Sequence, residues 1–318
     1  MGGYDNLTFG ATAWGLKLFG PDDVDSFAEV APQVRALPFS SSGRIAGSIE
    51  VFAPMGEEGY DEAMEAAPRI REIAKGHSLS VYACGFNPFV NEDGSENPHL
   101  VDRDSGKRKE AIARAHRGLD YAAAVAEPGQ GILVGPWHIR HKFFGVQPGD
   151  VRELVAVLKG EIAPYAQELD VRAALEPMQQ DEGYLPNPGQ EAIGVCDRVG
   201  SPHVGINGDS KHLAFGRGPR KGEKGLIPNL SRLVDSGHLF VFHGSELDRG
   251  EAWGRGELGR QTKEIAGELA RSESPISFDI ENFVPELYGA VNIAVEHPED
   301  PKRVLCEGAR HVRDELSL

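Results

Sequence analysis

The chain has 318 residues, of which 40% are hydrophobic and 26% are charged. This composition is typical of a folded globular protein and excludes a collagen-like or mainly disordered chain. The 49 acidic residues outnumber the 33 Lys and Arg residues, for a formal net charge of −16. That balance argues against nucleic acid as a partner, since affinity for its backbone depends on basic patches.

The cysteine content and the apolar segments indicate the cellular setting. Only three cysteines are present, without a CxxC pair, so neither a disulfide framework nor a structural zinc site is predicted. The first ten residues do not resemble a secretion signal, and no stretch approaches the roughly 18 uninterrupted apolar residues of a membrane span. We therefore expect a soluble cytoplasmic protein without a membrane partner.

Short β-rich runs follow one another along the chain, and segments with helical periodicity separate them. Helical segments are predicted near residues 21–36, 61–75, 107–126 and 148–169, with further ones in the second half. The eight predicted strands are Leu7–Ala13, Ile45–Phe52, Leu79–Cys84, Ile132–Val134, Val171–Leu175, Val204–Asn207, Leu239–Phe242 and Ile276–Ile280.

Regular alternation of strands and helices predicts a parallel sheet, because parallel neighbours need long crossover connections. Eight units match one closed (β/α)8 TIM barrel, which we predict as a single domain over residues 1–318 with additional C-terminal helices in a tail at 286–318. An open doubly wound sheet is the alternative. It usually has a glycine-rich phosphate turn after its first strand, whereas this chain has Thr12 to Leu16 there.

Four consecutive strands each end in an acidic residue or a histidine. These residues are Glu176, Asp209, His243 and Glu281, and they lie 33 to 38 residues apart, which is one βα unit. In a TIM barrel the carboxyl ends of all strands meet at the face that carries the chemistry. We therefore expect these four side chains to converge, although any one of them could instead be a helix cap or a surface charge.

Three carboxylates and one imidazole form a mixed oxygen and nitrogen donor set. Oxygen-rich ligation suits Mn²⁺ or Mg²⁺, and the imidazole keeps Co²⁺ and Zn²⁺ as alternatives. We predict a divalent metal ion as cofactor, with Mn²⁺ as the first choice and Glu176, Asp209, His243 and Glu281 as its ligands.

These strand ends resemble those of the sugar phosphate isomerase/epimerase superfamily of xylose isomerase-like barrels, which includes the ketose 3-epimerases. The resemblance covers most of the chain. Its elements are Leu175-Glu176-Pro177, the Asp209-x-x-His212 pair, His243 followed by Arg249, the Trp253 to Leu258 loop, Glu281-x-Phe283, and Gly135-Pro136-Trp137-His138 after the fourth strand.

The resemblance implies proton abstraction next to the carbonyl group of a keto-sugar. Glu176 and Glu281 would bind the metal, and one would remove a proton that the other returns, while the cation stabilises the enediolate. His212 and Arg249 would hold substrate oxygens, as their counterparts do; a capping histidine and a surface arginine are the structural alternatives. A ketose 3-epimerase-like isomerase or epimerase is thus the first functional prediction.

Further residues around the predicted barrel mouth are candidates for the site. His138 is predicted as an additional acid or base, since histidine titrates near neutral pH; His141 is equally compatible with a core or solvated position. Trp14, Trp137 and Trp253 each follow a predicted strand. They are candidate substrate contacts, although apolar residues also plug barrel ends.

Other functions were weighed. Residues 178–182 contain no arginine, whereas the epimerases tend to carry one after the strand-five glutamate. With His138, this suggests the C-glycoside deglycosidases of the same superfamily, which cleave 3-keto C-glycosides by β-elimination, a carbon-carbon lyase reaction, and have a small partner subunit.

Two further classes are less compatible with the sequence. A repair endonuclease would need additional metal-binding histidines at the ends of the second and third strands. A non-catalytic sugar-binding barrel would be expected to lack a metal ligand. The superfamily commonly forms dimers or tetramers, so a homo-oligomer is expected.

Overall fold

The structure is a computed structural model. It describes residues 6–12, 24–37, 47–85, 98–137, 149–178, 189–215, 225–247, 252–281 and 301–317, together with Tyr4 and Pro186. Eight parallel strands form a closed barrel in which each strand pairs with its sequence neighbours and β1 pairs with β8. The strands are β1 Leu7–Ala11, β2 Ser48–Phe52, β3 Ser80–Cys84, β4 Ile132–Val134, β5 Arg172–Leu175, β6 Val204–Asp209, β7 Leu239–Gly244 and β8 Ile276–Ile280.

Helices pack outside the barrel. None of those that the structure describes is long and apolar enough to cross a membrane. They are α1 Val24–Arg35, α2 Tyr60–Gly76, α3 Ser105–Val125, α4 Asp150–Val157, α5 Ala163–Glu168, α6 Gln190–Val199, α7 Ser210–Phe215, α8 Leu226–Ser236, α9 Thr262–Leu269 and α10 Pro301–Leu316, with a π turn Leu158–Ile162 and a 3-10 turn Gly259–Gln261.

The predicted TIM barrel is confirmed, and the open sheet is wrong, because β1 and β8 pair and close the sheet. The C-terminal helix α10 lies within the predicted tail. Two strand ends were predicted too early. The strands β6 and β7 each extend two residues further, because Asp209 pairs with His243 and Gly244 pairs with Ile280.

A polar layer lies inside the barrel. Ser48 on β2 donates a hydrogen bond of 2.6 Å to Asp279 on β8, and its hydroxyl lies 2.7 Å from that of Ser277. The strand between them, β1, makes this contact possible because it has a glycine at this level. A Cβ at Gly10 would lie 2.1 Å from Asp279 Oδ1, so a larger residue there would break the layer. Burial raises the pKa of the Asp279 carboxyl, although its hydroxyl donors oppose the shift.

A second polar group, the Asp120 cluster, ties helices together outside the barrel. It consists of Tyr60, His116, Asp120 and Tyr165. The hydroxyls of Tyr60 and Tyr165 donate to the two oxygens of Asp120, at 3.0 and 2.8 Å. The ring of His116 stacks on Tyr165 with centroids 3.9 Å apart. Because these residues come from α2, α3 and α5, the cluster links three helices.

Candidate active site

The predicted site residues lie at the carboxyl ends of four neighbouring strands. Glu176 directly follows β5, Asp209 is the last residue of β6, His243 is the fifth residue of β7, and Glu281 directly follows β8. The main chain fixes these positions. The amide of Glu281 donates to the carbonyl of Gly244, and that of Glu176 donates to the carbonyl of Gly135. All four side chains are at least 95% buried.

His212 connects two of the predicted ligands. It lies on α7, which begins directly after β6, and its amide donates to Asp209 Oδ1 at 2.9 Å. Its ring Nε2 lies 3.6 Å from Glu176 Oε1 and 3.9 Å from Asp209 Oδ1. The structure therefore brings His212 and the two carboxylates together, in a position from which the imidazole can contact a bound substrate.

His243 contacts carboxylates on both sides of its ring. Nδ1 lies 3.9 Å from Glu281 Oε1, and Nε2 lies 3.3 Å from Glu50 Oε2. Burial alone would lower the pKa of this imidazole, but the contact with Glu50 and the charges of Glu281 and Glu176 outweigh burial and raise it to about 10. The ring is thus held in a strongly negative environment.

Hydroxyl groups support Asp209 from the neighbouring strand. Ser245, which follows β7, donates to Asp209 Oδ2 at 2.6 Å. Ser245 is itself held by Ser210, whose hydroxyl donates to its carbonyl and accepts from its amide at 2.5 and 2.8 Å. These bonds lock the ends of β6 and β7 together, so that Asp209 is held in one orientation.

Glu50 belongs to this group of side chains but was not predicted as a site residue. It is fully buried on β2 and reaches His243 on β7. The strands β2 and β7 are not neighbours, so the contact crosses the interior of the barrel. One signal in the sequence points to it: a single carboxylate between Ile49 and Val51 places a charge in an apolar strand, where it needs a partner.

We call Glu50, Glu176, Asp209, His212, His243 and Glu281 the acidic mouth cluster. Its donor chemistry fits a divalent cation, because four buried carboxylates stand against two imidazoles and a cation would offset their repulsion. Its spacing is wider than that of a metal centre. Among the described residues, no three His, Cys, Asp or Glu side chains are arranged to hold an ion as they stand. Binding a metal would require these side chains to draw together.

The predicted aromatic contacts differ in their placement. Trp253 is 1% exposed, packs edge-on against Phe278, and donates from Nε1 to Thr262 at 3.0 Å. This is the environment of a core residue between barrel and helices, and it gives no support to a substrate contact. Trp137 is also buried. Three predicted residues, Trp14, His138 and Arg249, lie outside the described residues, as does His141.

A second buried glutamate near β7 has a different environment. Both oxygens of Glu246 accept main-chain hydrogen bonds of 2.9 to 3.0 Å, from the amides of Gly254, Leu258 and Gly259. The carboxylate thus shapes the loop that contains Trp253. A glycine is required within this loop at Gly254, which has a positive φ of 94° and lies against His311 of α10.

Comparisons with known proteins identify the family. The family model described as xylose isomerase-like TIM barrel matches residues 45–310. A D-psicose 3-epimerase of Enterocloster bolteae is 30% identical over 145 residues, which are 45% of this chain and 46% of that protein. The match therefore spans about half the length of that relative.

Solved structures show the same fold over the whole chain. A D-allulose 3-epimerase from Methylomonas sp. superposes with a TM-score of 0.71 at 16% identity, covering 97% of both chains. A 3-keto-D-glucoside 4-epimerase from E. coli superposes with a TM-score of 0.65 at 17% identity, covering 97% of this chain and 99% of the other. With the family model matching most of its length, this chain belongs to the xylose isomerase-like TIM barrel family.

Proposed function

We propose that the protein is an enzyme that removes and returns a proton next to the carbonyl group of a keto-sugar, as a sugar isomerase or epimerase of the ketose 3-epimerase type. The observation that carries this proposal is the arrangement of two buried glutamates, Glu176 and Glu281. They follow β5 and β8 and lie on either side of β6 and β7, which carry Asp209 and His243. The partial match to a D-psicose 3-epimerase supports the same substrate class.

The two glutamates would act as the acid and the base. A carbon acid next to a carbonyl ionises only with a positioned base and with stabilisation of the resulting charge. In this proposal one glutamate removes the proton and the other delivers one, which inverts the carbon when the two lie on opposite faces of the sugar. His212, between Glu176 and Asp209, would donate a hydrogen bond to a substrate oxygen.

The cofactor in this proposal is a divalent cation, with Mn²⁺ as the first choice and Co²⁺, Mg²⁺ and Zn²⁺ as alternatives. When bound, it would act as a Lewis acid on the oxygens next to the reacting carbon. The residues proposed to hold it are Glu176, Asp209, His243 and Glu281. Their support is the donor chemistry and the burial of the cluster.

A direct test combines metal analysis with an activity panel. Protein stripped with a chelator is reloaded with each of the four ions and incubated with ketoses, including D-psicose, and with 3-keto-D-glucosides. We expect epimerised product only after reloading, and bound metal by elemental analysis in the wild type but not in His243→Ala. The absence of metal from both proteins and of product from every substrate would contradict the proposal.

A C-glycoside deglycosidase is the second candidate, and one observation favours it. Two large apolar side chains are exposed at the barrel mouth, Phe215 at 46% and Leu247 at 37%, after β6 and β7 respectively. An aromatic aglycone would find apolar surface there, whereas a free ketose would not need it. Release of an aglycone from a 3-keto C-glycoside distinguishes this activity. It is expected only with a small partner subunit, and cleavage by the isolated chain would contradict this version.

A further inference from the structure

Glu50 is the member of the acidic mouth cluster whose role the proposed reaction does not explain. It is fully buried in the middle of β2, and its register partner on β3 is Tyr82. A buried carboxylate is costly unless it has a polar partner. The neighbouring acid one layer below, Asp279, is served by the hydroxyl of Ser48, whereas Glu50 faces an imidazole.

The two nitrogens of His243 face different carboxylates. Nδ1 is on the side of Glu281, at 3.9 Å from Oε1, and Nε2 is on the side of Glu50, at 3.3 Å from Oε2. An ion shared with Glu281 would therefore be approached by Nδ1. The other nitrogen would keep its proton and point it at Glu50.

We propose that Glu50 is a positioning residue that accepts the Nε2 proton of His243 and thereby presents Nδ1 to a divalent cation. This inference rests on the proposed metal dependence. A carboxylate behind a ligating imidazole fixes the tautomer and rotation of the ring and makes the ligand more basic. Because β2 and β7 lie on different sides of the barrel, the contact also couples the ligand to the strand across the interior.

The test measures Mn²⁺ affinity, from the electron paramagnetic resonance signal of the free ion, in the wild type, Glu50→Gln and Glu50→Ala. Loss of such a supporting carboxylate typically weakens metal binding about 10- to 100-fold. We expect the glutamine variant near the lower value, since its amide oxygen still accepts a hydrogen bond, and the alanine variant near the upper value.

Glu246→Gln is the matched control. It also removes one buried negative charge at the same end of the barrel, but Glu246 contacts loop amides in the printed hydrogen bonds rather than His243. Its Mn²⁺ affinity should stay within about threefold of the wild type. An equal loss in Glu246→Gln and Glu50→Gln would overturn the inference, because it would make the effect one of general charge.

A spectroscopic readout separates positioning from simple destabilisation. In metal-free protein with ¹⁵N-labelled histidine, His243→Asn identifies the His243 signals among the 11 histidines. The Nε2–H signal should be protected from exchange with water in the wild type and lost in Glu50→Gln. A protected signal in Glu50→Gln would overturn the inference even if affinity fell.

The outcomes also separate this inference from the proposed function. If the wild type does not bind Mn²⁺ or any of the other three ions, the proposed metal dependence and the role of Glu50 both fail. If the wild type binds the ion and Glu50→Gln binds it equally well, the proposed function stands and only the role of Glu50 is overturned.

Discussion

The acidic mouth cluster and the Asp120 cluster contain similar groups, carboxylates beside imidazoles, but differ in how these groups are satisfied. In the Asp120 cluster, two tyrosine hydroxyls donate to a single carboxylate. At the barrel mouth, four buried carboxylates share two imidazoles, with contacts of 3.3 to 3.9 Å. The first arrangement is complete as it stands, and the second has surplus negative charge.

This difference separates a structural role from a chemical one. A satisfied carboxylate contributes to stability because removing it leaves its donors without a partner. A group of carboxylates with surplus charge is held together by the fold at a cost in stability, which is typical of active sites. Substitutions in the two clusters should therefore have opposite effects on activity and on stability.

The largest effect is expected for Glu281→Gln at the barrel mouth. The amide is neither a base nor an anionic ligand, so epimerisation should slow by about 10²- to 10⁴-fold, the range for loss of a general acid or base. The free energy of unfolding should not fall, since the change removes surplus charge. Product formation under saturating substrate and urea unfolding measure the two quantities. An enzyme that remained fully active would break the comparison.

An intermediate effect is expected for Asp120→Ala in the helical layer. Its two tyrosine hydroxyls lose their acceptor, so the free energy of unfolding should fall by about 1–3 kcal/mol. Catalysis should remain within about twofold of the wild type. Tyr165→Phe, which removes one of the two bonds, is the graded control and should give the smaller loss in urea unfolding. A loss of activity with unchanged stability would contradict the structural role.

The smallest effect is expected for the pH dependence of His116. Burial lowers its pKa below the ordinary value of 6.5 in the folded protein. The unfolded chain therefore takes up the proton first as the pH falls, and the stability that the neutral ring contributes above pH 6.5 is lost as the pH drops through the lowered pKa. His116→Phe keeps the stack on Tyr165 and should flatten the fall of stability between pH 7 and 5. Equal slopes in both proteins would refute this.

The sequence predicted the barrel and the position of the mouth for a physical reason. Parallel strands bring all their carboxyl ends to one face, so residues 33 to 38 apart become neighbours without further information. The ends of β6 and β7 were less predictable. Their last residues, including Gly208 and Gly244, are weak strand formers, and only pairing with the next strand extends them.

The missed and misplaced residues depend on contacts across the fold. Glu50 meets His243 because two non-adjacent strands face each other inside a closed barrel, and a linear pattern does not show which residues those are. Trp253 follows β7 as predicted, but Thr262 and Phe278 hold it in the core. The side chain's direction is decided by the loop around Glu246, which the sequence alone did not indicate.

The central claim, that the two glutamates move a proton on a carbon next to a carbonyl, is tested most directly by solvent isotope exchange. Metal-loaded protein is incubated in heavy water with D-psicose, other ketoses and 3-keto-D-glucosides, and deuterium at the carbon next to the carbonyl is measured by nuclear magnetic resonance. We predict incorporation into at least one substrate with the wild type, and none with Glu176→Gln or Glu281→Gln. Absence of deuterium from every substrate, or equal incorporation with both variants, would contradict the account.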